Sequence, residues 1–200
     1  ADPDLLDKTV EGRVILVTGA GGSIGSELCR TIVKLAPEKL VIFDVNEHSI
    51  YQLQRELNAI SDCVVVPVLG SISDAALIRT VLATHKVENV YHCAAYKHVP
   101  LVEENVVEGA RNNVLGTDVL ASLSREAGVR NFVLISSDKA VRPSNVMGAT
   151  KRWAELIVRY HGNQAQAQKT GQIFASVRFG NVIGSSGSVV PLFREQITSG

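Results

Sequence analysis

Short apolar runs alternate along the chain with stretches in which apolar residues return every three or four positions. RVILVT (13–18) comes first. A helical period follows from Ser23, with Ile24, Leu28, Ile32 and Leu35 on one face. KLVIFD (39–44) precedes Ile50, Leu53, Leu57 and Ile60 at the same spacing. CVVVPVL (63–69) leads to a helix that Asp74 can cap and that carries Leu77, Ile78, Val81 and Leu82. NVYHCAA (89–95) introduces a long helical stretch over roughly 102–127, and NFVLIS (131–136) a helix at about 147–161. QIFASVRF (172–179) closes the series as a sixth strand, after a polar, glutamine-rich GNQAQAQKTG (162–171) that reads as a surface loop or fraying helix end. Strands apolar on both faces, separated by helices, mean a parallel sheet covered on each side. Right-handed crossovers then predict an α/β fold with a doubly wound parallel sheet.

Composition narrows the class. Apolar residues make up 46% and charged residues 20% of the chain, as in a soluble globular α/β protein and unlike a disordered one. Formal net charge is zero, so no basic stripe points to nucleic acid and no polybasic cluster to anionic lipid. The apolar runs are far shorter than the roughly 20 residues that cross a bilayer, and no signal peptide is visible. Cys29, Cys63 and Cys93 fall in predicted apolar elements and read as buried, reduced thiols. His48, His85, His92, His98 and His161 show no metal-ligand spacing, so no metal site is expected. Ala1, which is not a methionine, and Gly200 read as the limits of a piece of something longer.

Chemistry enters at the first strand–helix junction. TGAGGSIG (18–25) places Gly19, Gly22 and Gly25 as GxxGxxG after a strand and at the start of a helix. Glycine is needed where the chain turns tightly and where backbone approaches a pyrophosphate. The helix start, with Ser23 and Ile24, offers N–H groups and a positive dipole end to that anion. Asp44 closes the second strand, where a carboxylate accepts hydrogen bonds from both adenosine ribose hydroxyls and repels a 2′-phosphate. No arginine follows in DVNEHS, which favours NAD over NADP. The competing reading makes Asp44 a helix cap. Ser71 and Ile72 end the third strand where adenine should lie. Ala94 and Ala95 end the fourth, small enough to let a cofactor pass. Asn113 is open to a structural or a catalytic role.

The fifth strand runs into SSDKAVRPSNVMGATK (136–151), hydroxyls and charges after an apolar run, with Met147 four residues before Lys151. Together these pieces resemble the extended short-chain dehydrogenase/reductases over nearly the whole chain, which implies a Rossmann fold. In that superfamily the position of Met147 is normally a proton-transferring tyrosine. AAYKHVPLVEEN (94–105), SSDKAVRPSNVMGATKR (136–152) and RFGNVIGSSGSVVPLFREQI (178–197) resemble the capsule and polysaccharide-biosynthesis branch, lyases that act as UDP-N-acetylglucosamine 4,6-dehydratases. Methionine at the tyrosine position resembles its long, membrane-anchored members, whose linker PDLLDK (3–8) resembles. Ser137 stands where the family usually has threonine, and Ser71 where relatives often have an acid.

The resemblance implies a linker over 1–12 and, over 13–200, an NAD-binding domain with the start of the sugar-nucleotide region, the rest of the substrate lobe lying beyond Gly200. It implies NAD as cofactor, a UDP-sugar as substrate, a homo-oligomer, and work at the cytoplasmic face of the bacterial inner membrane through segments outside this chain. Met147 cannot take the O4 proton, so Ser137 or Asp138, aided by Lys151, is expected to do so. Lys151 also binds the nicotinamide ribose. Asp138 is expected as acid toward the C6 oxygen and Lys139 as base at C5. Lys97, His98, Arg178, Asn181, Ser188, Val189 and Arg194 resemble sugar-nucleotide contacts. Trp153 and Tyr160 read as helix packing. A nucleotide-sugar 4-epimerase, which normally keeps the tyrosine, and a non-catalytic NAD-binding protein are the alternatives.

Overall fold

Val14–Thr18 (β1) buries all of its residues, because helices cover both faces of the strand. The computed structural model describes residues 9–180. Its other strands are Lys39–Asp44 (β2), Val64–Leu69 (β3), Asn89–His92 (β4), Asn131–Ser137 (β5) and Ile173–Phe179 (β6). All neighbours pair in parallel, in the order β3-β2-β1-β4-β5-β6. The chain builds outward from β1 to β3, then returns to the other side of β1 for β4. That reversal opens a crevice at the carboxyl ends of β1 and β4, where doubly wound sheets bind ligands.

Alternate residues of the central strands feed two cores. Ile15, Val17, Leu40 and Ile42 pack under helices Ser23–Ile32 (α1) and Glu47–Ile60 (α2). Leu16, Val41, Val90, Phe132 and Leu134 pack under Ala75–His85 (α3), Gly116–Glu126 (α6) and Val146–Ala167 (α7). A fully buried leucine or phenylalanine contributes about 1.5–3 kcal/mol, so these faces hold the strand ends in place. Side-chain caps start α2, α3 and α7: Asn46 accepts from Ser49 N, Asp74 from Leu77 N and Asn145 from Gly148 N.

Several expectations change. The long helix expected over 102–127 is broken into Val99–Glu104 (α4), Val106–Ala110 (α5), a widened turn at Arg111–Leu115, and α6. Asn105 leaves helical geometry and its side chain takes the Leu101 carbonyl, a local bond that competes with the helix. β4 stops at His92, before CAA. The glutamine-rich segment is largely helix, since α7 continues to Ala167 with Ala165 fully buried. Trp153 and Tyr160 are exposed on that helix at 63% and 57%, so they are not core packing. Cys29 alone of the three free thiols is buried. Cys63 and Cys93 lie just outside strands and are half-buried. Thr9 and Val10, expected in a linker, dock on the sheet: Val10 is buried and Thr9 accepts from Asn89. Among the described residues no helix is long and apolar enough to cross a membrane.

Candidate functional site

The crevice is shaped by glycines. Gly19 has φ +66°, and a Cβ there would lie 2.5 Å from the Ala94 nitrogen. A side chain at Gly25 would collide with the Gly19 carbonyl. Thus β1, the segment after β4 and α1 meet at van der Waals distance only because these positions lack a Cβ. No side chain caps α1 and no acid occupies its first turn, so its positive end faces the crevice without a competing carboxylate.

Asp44 is held by two backbone donors, Gly21 N at 2.9 Å and Asn46 N at 3.0 Å. Asn46, not Asp44, caps α2. A carboxylate has about four acceptor sites, so Asp44 keeps capacity for a ribose. A cavity of about 520 Å³ runs from here across the sheet. Gly19, Gly22, Ser23, Ile24, Gly25, Asp44, Ile72, Ala94 and Ala95, all expected at a cofactor, line it together with Lys97 and His98. Ser71 departs from expectation: Gly70 and Ile72 form the wall, and the Ser71 hydroxyl accepts from Ser73 N. The far wall adds Leu101, Asn105, Glu108 and Asn112, which the sequence pattern did not single out.

Beside the cavity lies the end of β5. Ser137 donates to Asp138 Oδ1 at 3.0 Å and accepts from Lys139 N at 3.2 Å. Lys139 Nζ stands 3.4 Å from the same carboxylate oxygen, with side chains 40% and 55% exposed. The Ser137 hydrogen bond, followed by Lys139, holds the Asp138 carboxyl below the usual carboxylate range. The first turn of α7 presses on this segment, since a Cβ at Gly148 would come within 2.5 Å of the Lys139 carbonyl. Met147 is buried at 3% exposure, so it offers neither a proton nor an open face. Lys151, one turn on, is 6% exposed and donates to the Ile135 carbonyl at 2.8 Å. Burial pushes its ammonium down to about 8, against the opposing influence of Cys93 and Glu155. Cys93 itself lines the cavity.

Asn113, delivered by the widened turn, has a structural role. Its Oδ1 accepts from Tyr96 N, while Nδ2 donates to Tyr96 O and to Thr150 Oγ1. It therefore ties the loop after β4 to α7. His92 was missed by pattern reading, although a histidine closing a buried strand is a signal. Thr117 donates to Asn113 O at 2.7 Å, so its oxygen must accept from His92 Nε2–H at 2.9 Å. Thr18 then donates to Nδ1 at 2.8 Å. Burial, helped by Lys151, pushes this imidazole down to about 3, and it stays neutral.

Glu155 was also missed, though it follows Lys151 by four residues on the buried side of α7. It accepts from Ser136 Oγ, Arg152 Nη1, and Arg178 Nε and Nη2, all at 2.7–2.9 Å. Burial pushes its carboxyl up, but the bonds from Arg178, Ser136 and Arg152 outweigh that and hold it at about 2. Arg178, expected to meet a sugar nucleotide, instead gives its guanidinium to Glu155 and lines a separate cavity of about 400 Å³. Asn181, Ser188, Val189 and Arg194 lie outside the described residues.

A family profile described as "Polysaccharide biosynthesis protein" matches residues 15–200. The capsular polysaccharide biosynthesis protein CapD of Staphylococcus aureus is 46% identical over 100% of this chain, which spans 33% of that protein. A UDP-N-acetylglucosamine 4,6-dehydratase (inverting) of Campylobacter jejuni is 34% identical, over 94% of this chain and 55% of that protein. The solved structure of Pen from Bacillus thuringiensis matches with a TM-score of 0.87 at 30% identity, over 94% of this chain and 58% of that one.

Proposed function

The chain belongs to the polysaccharide biosynthesis protein family, and from that premise we propose that the protein carries out NAD-dependent 4,6-dehydration of a UDP-sugar, UDP-N-acetylglucosamine. One juxtaposition carries the reading. An acid and an amine, Asp138 and Lys139, stand together at the solvent-exposed end of β5, while the residue four before Lys151 is a buried methionine. A redox step at C4 needs only an acceptor for the O4 proton. Expulsion of the C6 hydroxyl needs, in addition, a base at C5 and an acid at C6.

The crevice residues fit the cofactor. Asp44 has acceptor capacity for the adenosine ribose, and the glycine turn leaves room where a Cβ would fill the pyrophosphate path. When bound, NAD would take the hydride from C4 and return it at C6. Lys151 would supply positive charge toward the nicotinamide ribose. Asp138, kept anionic by Ser137 and Lys139, with Ser137 and aided by Lys151, accepts the O4 proton. The 4-ketone acidifies C5–H. With Asp138 neutralised, Lys139 gives its ammonium proton to solvent and, as the free amine, takes the C5 proton, while Asp138 returns its own to the departing C6 oxygen, which leaves as water. Lys139 reprotonates C5 at the end.

The resemblance to long, membrane-anchored members supports a homo-oligomer working at the cytoplasmic face of the bacterial inner membrane. Mass spectrometry of the product from UDP-N-acetylglucosamine tests the reaction. A product lighter by one water is expected. A product of unchanged mass, inverted at C4, would make the protein an epimerase.

A further inference from the structure

We propose that Glu155 is a positioning residue that fastens the end of β5 to α7, with Arg178 as its clamp rather than as a substrate contact. The inference rests on the dehydratase reading of Ser137, Asp138, Lys139 and Lys151.

Two consecutive residues of β5 are tied to α7 just before the reacting segment. The Ile135 carbonyl accepts from Lys151, and the Ser136 hydroxyl donates to Glu155 at 2.7 Å. Lys151 and Glu155 are one helical turn apart, so they stand on one face of α7. Ser136 and Arg178 are directly paired in the parallel ladder of β5 and β6. Both therefore reach Glu155 from the same side of the sheet. Arg178 binds it through two parallel bonds of 2.7 Å, a fork that fixes orientation as well as charge. Three elements thus converge on a carboxylate that is 6% exposed. A one-ångström slip of the β5 end would displace Ser137, Asp138 and Lys139 together, and such slips cost on the order of 100-fold in rate.

Glu155 also faces Lys151 electrostatically. The other groups that bear on Lys151 are Cys93 after β4, His92 in β4, and the Ile135 carbonyl of β5. Of these only Glu155 is a fixed anion, so losing it moves the Lys151 titration to lower pH.

The test uses the full-length protein. Glu155→Gln is expected to lower kcat by on the order of 100-fold with little change in KM for the UDP-sugar. Deprotonation of Lys151 is expected to weaken NAD binding at alkaline pH, and Glu155→Gln should move that loss to lower pH. Ser136→Ala keeps the carboxylate, so it should lower kcat by roughly tenfold and leave that pH limb in place. Arg178→Lys keeps the charge without the fork and should likewise act on kcat. Wild-type kcat and an unmoved limb in Glu155→Gln would overturn the proposal. So would a rise in KM for the UDP-sugar in Arg178→Lys, the mark of a substrate contact. If Glu155→Gln fails to fold, the Ser136→Ala and Arg178→Lys pair decides by the same split. NAD affinity is independent of which sugar reaction runs. A wild-type protein that binds NAD without dehydrating therefore sinks the dehydratase reading while the limb shift still judges Glu155.

Discussion

Replacing Lys151 by methionine is expected to abolish turnover and to make the protein more stable. Lys151 is 6% exposed, and burial pushes its ammonium from 10.5 down to about 8. Each pKa unit corresponds to about 1.4 kcal/mol between the two protonation states. Keeping the amine charged here at neutral pH therefore costs on the order of 3 kcal/mol relative to water. Methionine escapes that cost and loses the bond to the Ile135 carbonyl, which contributes about 1 kcal/mol. The net gain is about 2 kcal/mol, or roughly 4–8 °C in melting temperature for a domain of this size. The sign with pH follows from proton counting. Between about 8 and 10.5 the folded state binds fewer protons than the unfolded chain, so wild-type stability rises through that window. The methionine variant has no such group, and its advantage should shrink there. Scanning calorimetry at neutral and at alkaline pH reads both effects. A variant that melts below wild type at neutral pH would refute the reasoning, as would an advantage that persists undiminished above the window.

Other substitutions test other joints. Gly25→Ala forces a Cβ into the Gly19 carbonyl. It should cost about 1–3 kcal/mol of stability and abolish NAD binding, read by denaturation and titration calorimetry. Asp44→Ala removes the ribose acceptor and frees Gly21 N and Asn46 N. NAD affinity should fall on the order of 100-fold, with weaker discrimination against NADP, in the same calorimeter. Asn113→Ala strands the Tyr96 amide and carbonyl. It should cost about 2–4 kcal/mol and slow turnover, checked by urea denaturation and product formation.

The sheet, its helices and the nucleotide crevice were legible because their signals are local. Parallel strands buried on both faces read as continuous apolar runs, and Gly19, Gly25 and Asp44 announce themselves by type and position. Position within a run was less legible. β4 ends at His92 because the backbone of Ala94 must meet Gly19, a contact between residues far apart in sequence. The break at Asn105 and the widened turn at Asn113 go with side-chain bonds that no periodicity records. The Ser71 hydroxyl accepts from Ser73 N, a local bond that the sequence pattern does not record. The partner of Arg178, Glu155, lies on another element, and only the fold reveals that pairing. Trp153 and Tyr160, read as helix packing, are exposed on α7, since residue type alone does not say which face of a helix is covered.

The central claim is that the acid–base work lost with a tyrosine at position 147 is carried by Asp138 and Lys139. The most direct measurement follows full-length protein and UDP-N-acetylglucosamine in D₂O by NMR, beside the Lys139→Ala variant. The account predicts a 4-keto-6-deoxy sugar with a C6 methyl and deuterium at C5 from wild type, and almost no product from Lys139→Ala. A C4 epimer without deuterium at C5, or a variant that dehydrates at near wild-type rate, would contradict it.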